Sequence, residues 1–308
     1  MPPVEDPPHT RRRMLMRLGA VALLLWLPAP GRAASTKQAF RLGVVNERAD
    51  QPDFALRMYR PLHQALDAAL GPRGVALAPL VIAQSIDEMS ERIRAGEVDA
   101  VPEGVFPTLA LSGRAQHLEP AMLVWRRGQR EYHAVFFTRI DSPIETLADL
   151  RGRVIAFEAP RSSSAFHLPR NALRQAGLRV IPVEAPEQRG AVRYVFAGSE
   201  LNQAYLVERG EADAAAFNEG DWQRLPDVLR ARLRIFHRTP PILRWLFSFR
   251  RGVSPTLREA VMSALEELSG YEVGRAALAQ AGEIARFERL NAADLAALRR
   301  IAAAEQGH

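Results

Sequence analysis

The 308 residues carry a formal net charge of +6, 25% charged and 47% hydrophobic residues, and no cysteine. Lack of cysteine excludes a disulfide, a lipidated N-terminal Cys, a thiolate metal site and a cysteine nucleophile. Residues 1–33 hold Arg11, Arg12, Arg13, Arg17 and Arg32 against Glu5 and Asp6, so the remainder is near +3. Its bases are scattered among acids, which argues against a nucleic-acid surface.

Residues 1–33 have a basic start, an apolar run over 18–27 and the small-x-small triplet Gly31-Arg32-Ala33. That pattern predicts an export signal with the mature chain beginning near Ala34, released as a soluble periplasmic monomer. Thr10-Arg11-Arg12-Arg13-Met14-Leu15 is similar to a twin-arginine signal, with Met where that pattern prefers Phe; ordinary secretion stays open beside it. A membrane anchor is the plainer alternative, but the run falls short of the roughly 20 apolar residues a span needs.

Phe40-Arg41-Leu42-Gly43-Val44-Val45 predicts a strand, and 54–70 places Leu56, Tyr59, Leu62, His63, Leu66 and Leu70 at helical spacing. A second strand is expected at 75–82. Ser85-Ile86-Asp87-Glu88 then carries the Ser-x-x-Glu pattern that opens a helix. The helix stops at Gly96 in Arg94-Ala95-Gly96-Glu97-Val98-Asp99-Ala100-Val101, and the small apolar residues after it predict a strand. The same phrase recurs 114 residues later as Glu208-Arg209-Gly210-Glu211-Ala212-Asp213-Ala214-Ala215. The interval is far longer than a solenoid period and points to two α/β lobes on one plan.

Strands are expected at 121–125 and 132–138, the second leading toward the other lobe. In that lobe, strands near 153–157, 179–183 and 212–217 alternate with helices through Leu173 and around 201–209. A return strand follows at 244–249, then a helix with Ser254 as N-cap and Pro255 at its first position. Helices over 274–281 and 292–304 close the chain, the latter capped by Asn291.

Taken together, Asp141-Ser142-Pro143-Ile144, Asp149-Leu150-Arg151-Gly152-Arg153-Val154-Ile155-Ala156-Phe157, and Ser162-Ser163-Ser164 followed by Phe166, Pro169, Arg170 and Ala172-Leu173 form a specific set. With the two Gly-x-x-Asp phrases and Pro240-Pro241-Ile242, they resemble the phosphate/phosphite/phosphonate-binding receptors of ABC transporters (PhnD-like). The resemblance covers most of the mature chain and implies the type II periplasmic binding protein fold: two α/β lobes, a ligand cleft and two hinge crossings. Lobe 1 is expected to take 34–134 and 246–308, and lobe 2 to take 135–245. It also implies that Ser162, Ser163 and Ser164 receive an oxyanion. The residues independently permit this, because small hydroxyl residues opening a helix offer free N–H groups, hydroxyls and the positive dipole end. An ordinary Ser N-cap is the alternative.

The chain departs from the family pattern at Ile86 and Thr108, each in place of a tyrosine, and at Glu200, aligned with a histidine. Glu200 removes a donor and adds a charge that repels a phosphonate dianion. Strand ends facing the cleft add Asn46, Glu47, Arg48, Glu103, Thr108, Asn218 and Glu219 as candidates. Tyr205 and Trp222 are expected to pack on the lobe. The histidines show no metal-ligand spacing, and no Gly-x-Ser-x-Gly motif occurs. The reading is a solute receptor that closes on a small oxyanion-bearing ligand and delivers it to an ABC permease, with no cofactor or metal and no enzymatic step. Two alternatives stay open: a ligand-sensing partner of a membrane histidine kinase, and an exported enzyme using paired carboxylates such as Glu47 and Glu103.

Overall fold

Side chains that alternate between two buried faces set the architecture of the second lobe. In the strand Ala134–Arg139, Val135 and Phe137 face one apolar layer while Phe136 faces the other, the period-2 pattern of a strand covered on both sides. The computed structural model describes residues 38–46, 48, 50–113 and 116–306. The segment expected to direct export and Glu47 lie outside them.

The second lobe is a six-stranded sheet ordered Val180–Pro182, Val192–Phe196, Val154–Phe157, Ala214–Asn218, Ala134–Arg139 and Leu233–Arg238. The first four strands are parallel and the last two pairings antiparallel. Phe137 packs on Phe217 at 4.6 Å on one face, and Phe157 on Phe166 at 5.2 Å on the other.

The first lobe combines an antiparallel part with a parallel part. Ile284–Arg289, Leu118–Arg126, Trp245–Arg250 and Ala100–Glu103 are neighbours in that order. Ala100 bridges in parallel to Leu42, beside Gly43–Val45, which pairs with Val81–Ala83. The helix Phe54–Leu70 covers this lobe with Tyr59, Leu62, Leu66 and Leu70, as its spacing predicted.

Local signals hold at the helix ends. Ser85 accepts from the Glu88 amide at 3.1 Å, and the Glu88 carboxylate reaches back to the Gln84 amide at 2.8 Å, one residue before the expected cap. Ser254 caps Pro255–Glu267, while Asn291 and Asp294 exchange reciprocal 3.0 Å bonds at the start of Ala292–Gln306. Gly96 and Gly210 both stop their helices at positive φ, 74° and 75°, a conformation only glycine adopts freely.

Other elements had no local signal. Val105–Ser112 is a helix buried on several sides, so its residues show no polar face to mark the period. Val192–Phe196, Leu233–Arg238 and Ile284–Arg289 are strands that only the neighbouring strands specify. Tyr205 is 37% exposed beneath the Arg209 guanidinium rather than packed into the lobe, whereas Trp222 packs against Phe137 with ring centroids 5.4 Å apart and tilted by 50°.

Candidate functional site

The chain passes between the lobes twice, through the short strands Glu131–Tyr132 and Ile242–Leu243, and these crossings pair with each other in antiparallel register. Residues flanking them are thereby fixed at the junction, where the strand ends of both lobes converge.

Lobe 2 contributes the turn before its first long helix. Ser162 caps that turn, accepting from the Ala165 amide at 3.1 Å, and the chain winds as a π-turn over Ser163–His167 into the helix Leu168–Gln175. The three serines thus divide their tasks. Ser162 is committed to the cap. Ser163 lies at the lobe junction, its Oγ 2.8 Å from where a Cβ on Gly104 of lobe 1 would sit, and its side chain interacts with the Tyr132 phenol. Ser164 is half-buried, and among the described residues its hydroxyl has no hydrogen-bond partner.

Arg161, just before them, crosses to lobe 1. Its Nη1 donates to the Asn46 carbonyl at 2.9 Å, and Nη2 stands 3.5 Å from Glu103 Oε1, an ion-pair contact too long for a strong hydrogen bond. Its Nε is buried without a partner. Asn46 is buried and turns its amide to Arg48 O, Gln51 O and Gln84 Oε1, each at 2.9 Å. That side chain holds the loop while its backbone carbonyl meets Arg161. Glu103 is buried at the end of its strand and accepts from the Gly104 amide at 3.2 Å. Thr108 is buried one turn into the next helix, with its hydroxyl 3.5 Å from Glu103 O. Arg48 is exposed, with its guanidinium 5.6 Å from the Phe54 ring.

Asn218 is fully buried at the end of its strand, paired with Gln129 through 3.1 and 3.4 Å contacts. Glu219 reaches Arg238 at 3.1 Å. Glu200 begins the helix Glu200–Glu208, and burial together with the Asp221 charge raises its carboxyl above the ordinary range. Asp221 is itself held by Arg127 at 3.1 Å and by Arg224. Among the described residues, no group of three or more His, Asp or Glu could hold a metal ion.

Sequence reasoning placed the crossings near 132–138 and 244–249 but did not single out Tyr132, Arg244 or Trp245 as site residues. Tyr132 is buried, and its phenol is pushed up to about 12 by desolvation, so it stays a neutral donor. Trp245 packs under the Arg126 guanidinium at 4.1 Å, and its indole nitrogen lies 3.5 Å from the same imagined Gly104 Cβ. Arg244 lies over the Tyr132 ring at 4.8 Å. Arg161 could have been found by its place before the serine run. Arg244 and Trp245 read locally as the start of a strand, and only the pairing of the two crossings reveals their position.

A family model described as ABC transporter, phosphonate, periplasmic substrate-binding protein matches residues 49–295. Among solved structures, the chain is similar to XAC2383 from Xanthomonas citri bound to chloride ion (27% identity, TM-score 0.79) and bound to ATP (26%, 0.78). Both matches cover 87% of this chain and 97% of that one. It also shares the fold of PhnD1 from Prochlorococcus marinus in complex with methylphosphonate, at 18% identity and TM-score 0.62 over 88% of this chain and 98% of that one. The family match over most of the chain, with two α/β lobes joined by paired crossings, places this protein among the phosphonate-type periplasmic substrate-binding proteins of ABC transporters.

Proposed function

We propose that this chain captures a small oxyanion-bearing ligand between its lobes and delivers it, as a monomer, to an ABC permease. In this reading one lobe takes residues 34–134 and 246–308, and the other takes 135–245. The observation that carries it is the placement of Ser163 of lobe 2 against Gly104 of lobe 1 beside Tyr132 of a crossing. An anion received there touches both lobes and the hinge at once, so it has extra affinity for the closed form, which is what shifts a population. Ser162 is better read as the N-cap, leaving Ser163, Ser164 and Arg161 as donors. The ATP named with the Xanthomonas protein bears oxyanions and supports the ligand class, while the chloride named with the same protein supports only the taking of an anion.

The test is calorimetry against inorganic phosphate, methylphosphonate, sulfate and ATP, with native mass spectrometry of the exported protein to identify any retained molecule. Ser163→Ala should weaken binding of whichever anion is taken by about 1–3 kcal/mol, the range for a hydrogen bond to a charged group. The apo melting temperature should hardly change. Loss of apo stability with unchanged affinity would instead make Ser163 a structural residue.

A further inference from the structure

Arg244 is 8% exposed, and its Nε is buried without a hydrogen-bond partner. Its backbone amide is fixed by the Arg130 carbonyl at 2.9 Å, between the crossing Ile242–Leu243 and the strand Trp245–Arg250. Among the described residues the side chain forms no ion pair within 4 Å, and its close contact is the face of Tyr132. The surrounding charges do not compensate it. Arg126 and Arg127 repel it, and Asp221, the carboxylate that attracts it, is already bonded to Arg127 and Arg224. Desolvation accordingly holds the Arg244 guanidinium below its ordinary pKa. A buried cation left without a counter-charge is costly, and proteins normally pair it.

We propose that Arg244 is the charged anchor of the cleft, and that the anionic group of the ligand supplies its missing counter-ion. This rests on the oxyanion reading above and deepens it. The serines are neutral donors and recognise an anion by geometry, whereas a desolvated guanidinium adds charge and a planar fork that matches phosphate, phosphonate, sulfonate or carboxylate oxygens. Tyr132 links the two sets of donors, because its ring carries Arg244 and its phenol meets Ser163. Arg244 therefore binds at the hinge side of the junction and Ser163 at the lobe side. An anion bridging them ties both crossings to lobe 2.

Calorimetry on the full mature chain, with inorganic phosphate, methylphosphonate, sulfate and ATP as probes, tests this together with apo melting curves. Arg244→Gln should weaken binding of the accepted anion at least tenfold, while the apo melting temperature stays level or rises because an uncompensated buried charge is gone. Arg244→Lys, which keeps charge but not the fork, should fall between Gln and wild type. If wild type binds an anion and Arg244→Gln loses less than tenfold, the anchor is overturned while the oxyanion reading stands. If wild type binds none of the four probes, the reading and the anchor fall together. Should the Gln variant fail to fold, an Arg244→Lys protein with wild-type affinity overturns the anchor.

Discussion

Asp99 and Asp213, the acidic residues of the repeated phrase, do the same work in each lobe. Asp99 exchanges backbone bonds with Arg41, its amide donating to Arg41 O at 2.8 Å and its carboxylate accepting from Arg41 N at 3.0 Å. Asp213 does the same with Val154, at 2.8 Å for each. An arginine side chain braces each one, Arg41 at 2.9 Å and Arg153 at 3.0 Å. The repeat therefore registers the last strand of each α/β unit on its first strand, and neither carboxylate is a ligand group. Asp99 is almost fully buried and also holds Arg250 at 3.0 Å, whereas the Asp213 side chain is a third exposed. Asp99→Ala, which strands buried donors, should cost about 3 kcal/mol, and Asp213→Ala about 1–2 kcal/mol after solvent screening. Urea titrations of both variants check the order. Equal losses would mean that burial is not what separates them.

At the scale of elements, three helices meet where the lobes touch. His167 at the head of Leu168–Gln175 stacks on Phe106 of Val105–Ser112, at 5.2 Å and 14°. Asn171 on the same helix bonds Glu305 of Ala292–Gln306. Leu168, Phe106 and Ile301 fill the space between. Burial pushes the His167 pKa down, Arg170 assists, and Glu305 opposes. The folded state thus binds the neutral ring and the unfolded state takes up the proton first. This stability is fully present above the unfolded value of about 6.5 and is lost as pH falls through it toward the lower folded value. Melting temperature should drop between pH 7.5 and 5, and His167→Gln should flatten part of that slope. Identical slopes in the two proteins would remove His167 as the cause. His237, lowered for the same reason, supplies slope that the variant retains. None of this meeting was legible beforehand, because a helix without a polar face carries no period and a stacking pair separated by 61 residues leaves no local trace.

For the whole molecule, the lobes are in contact through Arg161, Asn46 and Glu103, and they are joined by two two-residue crossings. Such short paired strands concentrate rotation at few backbone dihedrals while each lobe keeps its own core. Solution scattering should therefore give a larger radius of gyration without ligand than with a saturating anion. An unchanged radius on verified binding would mean that the apo protein is already closed.

The sequence by itself determined what depends on neighbours along the chain: the Ser85, Ser254 and Asn291 caps, the glycine stops at 96 and 210, the strand-helix alternation and the serine run that opens a helix. These follow from local hydrogen bonds and side-chain period, which a short window contains. Only the tertiary structure decided that Ser162 is spent on a cap while Ser163 faces Gly104, that Asn46 turns its amide into its own loop, and that Glu200 stands against Asp221. It alone brought Arg161 across to lobe 1 and set Arg244 on Tyr132, because pairing of the two crossings joins residues 112 positions apart. Burial without a counter-charge is a property of that assembled place, and no stretch of sequence around Arg244 records it.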